Sequence, residues 1–258
     1  MNYIILLFIW FCSLSFAEQD YLCDQHCTFV LKSESSGQYQ FINQAQSKQR
    51  FSPYSTFKIP NTLIAIELDL VKDLNQQLSF DKTKYTIQNW WPSNWYESPL
   101  KIKQAFEYSA VPIYRQIASD IGDNHMQKYV SQFNYGNADI SSGLDTFWLG
   151  GSLQISPKEQ VEFLQRLYNK KLHVSDRSLI LLKEIMLVES TNNYKLYAKT
   201  GGGNLSNGKA QGWYVGYVES SDGVFYFALH MQAKSFADLQ SKRINIAKKL
   251  LSKAGVIE

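Results

Sequence analysis

The chain has 258 residues, 45% hydrophobic and 14% aromatic, with 26 Lys+Arg against 23 Asp+Glu and a net charge of +3. That length supports a sizeable core, in one large domain or two small lobes. The charge is too mild and too evenly scattered to suggest nucleic acid, and no segment has the composition of a disordered tail.

Residues 1–17 carry no charged side chain; residues 4–11 are an unbroken apolar run, and Ser15 and Ala17 are small residues at the positions a signal peptidase reads. This predicts a secretory signal peptide, 1–17, and an exported, periplasmic or secreted chain, 18–258, with no stable membrane anchor after cleavage. No Lys or Arg precedes the apolar run, which is off the usual pattern; a buried N-terminal helix or membrane anchor is the other reading, although the run falls short of the roughly 20 residues a span needs. Cys12 would leave with the signal. Cys23 and Cys27 would remain. An oxidising compartment favours a disulfide, the short loop favours two free thiols, and both readings stand. The histidines, His26, His125, His173 and His230, are scattered and form no ligand pair, so no metal site is expected.

Residues 28–32 and 39–43 read as two strands of a hairpin through Ser35-Ser36-Gly37. A helix is predicted from near Ser55 to about Lys72, followed by a long irregular connection, 73–99, which Trp90, Trp91 and Trp95 should pack onto the body. Residues 103–121 are helical with a break at Ser109-Ala110-Val111-Pro112, since the residue before a proline leaves the helical region. A short helix over 124–133 leads to a turn at Tyr135-Gly136-Asn137. Ser156-Pro157-Lys158-Glu159 is a strong helix start, and Ser175 or Asp176 caps the next helix. The period then changes to two: 195–199, 213–219 and 224–232 read as antiparallel strands, and 239–254 as a closing helix. Strands at both ends and helices between them predict an α+β fold: an antiparallel sheet built from both termini, flanked by helices, with a helical lobe inserted. A cleft between the lobes is the natural place for a site.

Within this order, Ser55-Thr56-Phe57-Lys58 places a serine three residues before a lysine at a helix start, where the amine can approach the hydroxyl. A weak serine nucleophile needs an adjacent base, and unpaired N–H groups at a helix start favour charge on an attacked carbonyl oxygen. The spacing alone is unspecific: Ser-x-x-Lys also starts at Ser79, Ser98 and Ser206, none of which leads into a long apolar helix. Ser109, taken alone, equally fits a kink serine bonded to backbone.

Three further motifs follow in chain order: Ser109-Ala110-Val111, Tyr135-Gly136-Asn137, and Lys199-Thr200-Gly201 with Gly202 and Gly203 behind it. With Phe147-Trp148-Leu149, Gly212-Trp213-Tyr214-Val215-Gly216 and Arg243, the set resembles the penicillin-recognising serine enzymes. The middle Ser-Ala-Val, in place of the Ser-Asp-Asn of class A, makes it similar to the class D, oxacillinase-type β-lactamases. The resemblance spans nearly the whole chain after the signal. It implies that Ser55 forms an acyl-enzyme with a small-molecule β-lactam, and that Lys58 is carboxylated on its amine by carbon dioxide to give an N6-carboxylysine general base. No other cofactor is implied. Phe57, Val111, Trp148 and Leu149 would bury that lysine, and the Trp148 indole N–H would hold the carbamate. Ser109 would relay a proton to the leaving nitrogen. Lys199, Thr200, Gly201 and Arg243 would bind the substrate carboxylate, although Arg243 also reads as a solvated charge beside Lys242. The N–H groups of Ser55 and Gly202 would form the oxyanion hole. Gly202 departs from the aromatic or larger residue often found there, which bears on substrate packing rather than chemistry. Trp213 reads as a core or cleft-wall residue. Three rivals share the motifs: a β-lactam sensor domain that is acylated and barely hydrolyses, a cell-wall D-Ala-D-Ala peptidase, and an inactive binding module. Whether the protein forms a homodimer, and how residues 202–211 run, are open at this level.

Overall fold

The computed structural model describes residue 23 and residues 26–258; the expected signal peptide and Cys12 lie outside them. The strands are β1 (Cys27–Ser33), β2 (Tyr39–Ile42), β3 (Gln77–Leu78), β4 (Leu100–Lys101), β5 (Leu187–Ser190), β6 (Tyr194–Asn204), β7 (Ala210–Ser220) and β8 (Gly223–Ala233). Six of them form one antiparallel sheet in the order β2-β1-β8-β7-β6-β5, while β3 and β4 pair separately. In β1, Val30 stands opposite Phe41 of β2 and Ala228 of β8, so strands from both ends of the chain close one sheet.

The sheet is buried on both faces, and the period-two alternation divides it. Val30, Val215, Tyr217, Tyr226 and Ala228 face α5 (Pro157–Tyr168) and the helical lobe. Phe29, Leu31, Tyr214, Val218, Phe227 and Leu229 face α7 (Phe236–Lys253). The lobe comprises α1 (Lys58–Glu67), α2 (Ile102–Glu107), α3 (Val111–Ile121), α4 (Asp123–Gln132) and α6 (Asp176–Met186). At its centre is α1, buried at every position from Lys58 to Ile66; its apolar residues pack all round, and the buried Lys58, Asn61 and Thr62 each make a hydrogen bond.

Local signals act as expected at two helix starts. Ser156 accepts from the Glu159 N–H while the Glu159 carboxylate accepts from the Ser156 N–H, a complete capping box with Pro157 at the first position. Ser175, rather than Asp176, caps α6. Cys23 and Cys27 are joined by a disulfide, with Cα atoms 5.0 Å apart, which settles the alternative left by spacing.

Three expectations need correction. Helix α1 stops at Glu67 rather than near Lys72: Asp69 turns left-handed (φ 56), and the Leu70 and Val71 N–H groups fold back onto the Ala65 carbonyl. Trp91 and Trp95 are buried, but Trp90 is 64% exposed and only its ring edges meet theirs. The strand expected over 195–199 continues to Asn204, because glycines 201–203 are held in register by β7. Residues 205–209 then close a tight hairpin in which Leu205 donates to Lys209 and Gly208 takes φ 80.

Candidate active site

The turn that carries Ser55 is a 3-10 helix, Tyr54–Phe57, running directly into α1. Side chains at i and i+3 eclipse in a 3-10 turn, which stands the Lys58 amine over the Ser55 hydroxyl: Nζ donates to Oγ at 3.0 Å. Lys58 is fully buried and has no acidic partner among the described residues; burial lowers its pKa from 10.5 to about 7. Its amine also lies 4.9 Å from the centre of the Tyr114 ring. Pro60 follows in the first turn, where its missing N–H leaves no helical bond unmade.

Buried polar links fix the turn from behind. Thr56 Oγ1 donates to the Pro53 carbonyl at 2.9 Å and accepts from Gln160 Nε2 of α5 at 2.8 Å. The Ser52 hydroxyl donates to the Trp148 carbonyl, the Tyr54 N–H donates to the same oxygen, and Trp213 Nε1 donates to the Ser52 carbonyl at 2.9 Å. Trp213 is thus a core residue, as expected, and supports the turn.

The Trp148 loop is set by the Tyr135-Gly136-Asn137 turn. Gly136 takes φ 58, and a Cβ there would lie 2.0 Å from the Gln154 carbonyl oxygen. Asn137 then laces the loop ends together, donating to the Ser152 carbonyl and accepting from the Gln154 N–H. This motif is structural. It delivers Trp148, which stacks on Phe57 with centroids 5.4 Å apart and is fully buried. Its indole Nε1 is a buried donor without a partner, an uncommon and costly state. Leu149 beside it is half-buried.

The opposite wall begins at the break between α2 and α3. Ser109 donates its N–H to Phe106 and Ala110 donates to Ala105, the Schellman closure that glycine usually provides. Here Ser109 takes φ 58, a strained conformation for a residue with a Cβ. Lys199 Nζ donates to Ser109 Oγ at 2.5 Å and to the Thr200 carbonyl at 3.0 Å. Half-buried Val111 opens α3 two residues later.

Beyond Tyr197, where the pairing with β5 ends, no strand among the described residues pairs with the outer side of β6. That margin lies against the Ser55 turn. Gly201 permits the approach: a Cβ there would lie 2.7 Å from the Pro53 carbonyl oxygen and 3.0 Å from the Thr56 nitrogen. Gly202 faces the other way, where a Cβ would lie 2.9 Å from Leu239 and 3.0 Å from Arg243 Nη1. Arg243 is 8% exposed, donates to the Gly201 carbonyl at 3.0 Å, and has a buried Nε without a partner. It is not the solvated charge that its neighbour Lys242 suggested.

Burial lowers the Arg243 pKa to about 10, and burial together with Lys58 and Arg243 holds Lys199 well below the ordinary lysine range. None of the ion pairs among the described residues involves these three cations. Lys199 and Arg243, buried side by side with no carboxylate paired to either among the described residues, make this end of β6 a receptor for an anion, while Lys58 is the group that burial favours as a neutral amine. Among the described residues no cluster of His, Cys, Asp and Glu could hold a metal ion, and no helix is long and apolar enough to cross a membrane.

The structure therefore gathers Ser55, Lys58, Ser109, Trp148, Lys199, Thr200, Gly201 and Arg243 around the Ser55 turn and the adjoining end of β6. It adds Gln160, which sequence reasoning missed: its link to Thr56 spans 104 residues and leaves no local pattern.

Residues 27–252 match the family described as the penicillin binding protein transpeptidase domain. β-Lactamase OXA-48 of Klebsiella pneumoniae is 40% identical over 88% of this chain and 83% of its own length. Regulatory protein BlaR1 of Bacillus licheniformis is 31% identical over 88% of this chain but only 37% of its own. The crystal structure of a class D β-lactamase from Sebaldella termitidis superposes with a TM-score of 0.86 at 32% identity, covering 93% of this chain and 97% of that one. The chain belongs to the penicillin-binding transpeptidase family and, within it, to the class D β-lactamases.

Proposed function

We propose that this protein hydrolyses β-lactam antibiotics through an acyl-enzyme on Ser55. The observation that carries the reading is the buried Lys58 amine, 3.0 Å from the Ser55 hydroxyl and driven toward neutrality by burial. Ser55 Oγ attacks the lactam carbonyl carbon while its proton passes to the base at Lys58. The N–H groups of Ser55 and Gly202 stabilise the charge that develops on the carbonyl oxygen. The carbon–nitrogen bond then breaks, and the nitrogen takes a proton from Ser109, which Lys199 resupplies across their hydrogen bond. A substrate carboxylate beside Lys199 favours its charged form against the effect of burial, and so keeps a proton there to give. The substrate carboxylate is the anion that Lys199, Thr200, Gly201 and Arg243 receive. A water next attacks the acyl carbonyl, again giving its proton to the base, and Ser55 leaves. One water is consumed: the proton first taken from Ser55 replaces the one Lys199 gave, and the proton from water restores Ser55.

The residues fit a carboxylated Lys58. Only a neutral amine reacts with carbon dioxide, and burial supplies one. The unpartnered Trp148 Nε1–H and the Ser55 hydroxyl would hold the added carboxylate within walls from Phe57, Val111 and Leu149. When present, that group supplies an anionic general base, so deacylation needs no acidic residue. Residues 1–17 are read as the export signal, with a mature terminus at Glu18.

The similarity to a regulatory protein favours one second reading, a sensor that is acylated and held. Steady-state reaction with a chromogenic cephalosporin separates the two. Many turnovers per enzyme support the hydrolase; a single stoichiometric burst supports the sensor and refutes the hydrolase.

A further inference from the structure

The residue before the nucleophile has no part in the chemistry above, yet it is held in an unfavourable conformation. Tyr54 has φ 48, in the left-handed region that a side chain with a Cβ enters at a cost. Its N–H donates to the Trp148 carbonyl at 2.9 Å, and the residue is only 8% exposed. The ring packs on the bare backbone of Gly203 and reaches toward Gly150. A Cβ on Gly203 of β6 would lie 2.2 Å from Tyr54 Cε1 and 2.7 Å from Cζ. A Cβ on Gly150, in the Trp148 loop, would lie 3.6 Å from the Tyr54 hydroxyl oxygen. Alternation along β6 explains the triple glycine: Gly201 and Gly203 face the nucleophile turn, and Gly202 faces α7. Gly201 admits the turn's backbone, and Gly203 admits the Tyr54 ring.

Two walls of the cleft thus meet on one residue, the loop through its N–H and β6 through its ring. One is the loop that carries Trp148; the other is the β6 margin that carries Lys199, Thr200 and Gly202. We propose that Tyr54 is a positioning residue whose ring sets the separation of these walls, and with it the placement of Ser55 between base and oxyanion donors. The inference rests on the acyl-enzyme reading above. A ring packed on bare backbone resists displacement, because the strand beneath it has no side chain that could yield.

The test measures kcat, KM and Tm with a chromogenic cephalosporin for Tyr54→Phe, Tyr54→Ala, Gly203→Ala and the Tyr54→Ala/Gly203→Ala double variant. Tyr54→Phe keeps the ring and should hold kcat within about twofold. Tyr54→Ala should lose about tenfold or more in kcat, with a smaller change in KM, well below its Tm; a misplacement near 1 Å can cost about a hundredfold. Gly203→Ala should lose a similar factor, since its Cβ must displace the ring. Added to Tyr54→Ala, it should cost no more than about twofold. An unchanged kcat in Tyr54→Ala, or an equal Gly203→Ala loss in both backgrounds, would overturn the proposal. Should Tyr54→Ala not fold, Tyr54→Leu provides the second background. A wild type that is acylated once and never turned over would refute the hydrolase reading instead; acylation rate then replaces kcat in the same comparison, so the two ideas fail separately.

Discussion

Lys58→Met keeps the unbranched stem of the lysine and removes its amine. Folding takes that amine out of water with no acidic partner, and burial alone moves its pKa from 10.5 to about 7. At 1.36 kcal/mol for each tenfold change, this is a penalty of about 5 kcal/mol, an upper figure because interiors relax. Its sign follows from proton counting. Between about 7 and 10.5 the unfolded chain binds more protons than the folded one, so stability rises with pH through that window. The penalty is complete below about pH 7, falls to about 2 kcal/mol at pH 9 and vanishes above about 10.5. Lys58→Met should therefore be more stable than the wild type at pH 7 by about 2–5 kcal/mol, with a smaller gap at pH 9, and should not turn over substrate. Denaturant unfolding in buffer free of carbon dioxide at both pH values measures this; carbon dioxide bound to the folded amine would offset the penalty. A variant no more stable than wild type at pH 7, or a gap that does not narrow at pH 9, would refute the assignment of Lys58 as an amine neutralised by burial.

Trp148→Phe keeps the stack on Phe57 and removes the free indole donor; it should slow deacylation about tenfold to a hundredfold, with partial rescue by bicarbonate in stopped-flow single-turnover experiments. Wild-type turnover should fall about tenfold per pH unit below 7, as the Lys58 amine charges, in a steady-state pH profile without added bicarbonate. Gly201→Ala drives a Cβ toward the Pro53 carbonyl and should lower kcat/KM by about a hundredfold, read from initial rates. Gln160→Leu removes the buried amide that accepts from the Tyr135 hydroxyl and donates to Thr56 Oγ1, and should cost about 1–3 kcal/mol in denaturant unfolding.

The fold was legible where one local rule decides an element. The capping box at Ser156 and Glu159, the break at Ser109, and the period-two strands all act within a few residues, and the structure follows them. Strand β5 was missed because it has four residues, with Val188 exposed on the sheet edge, and lacks an alternating apolar signature. The carboxyl end of β6 was missed because three glycines have little strand propensity, and only pairing with β7 holds them extended. The site motifs were legible as residue types in order. Their electrostatics were not: Lys58, Lys199 and Arg243 are separated by scores of residues, and only the fold shows that they share a cleft without a carboxylate. The same holds for Tyr54, whose counterpart Gly203 reads along the chain as an ordinary glycine.

The most direct test of the central claim is intact-protein mass spectrometry over time, after excess penicillin is mixed with wild type and with Ser55→Ala. The account predicts that wild type gains one penicillin mass, mapping to Ser55, and loses it once substrate is exhausted, while Ser55→Ala stays unlabelled and folded. A labelled Ser55→Ala protein would place the nucleophile elsewhere, and a wild-type adduct that never decays would contradict hydrolysis.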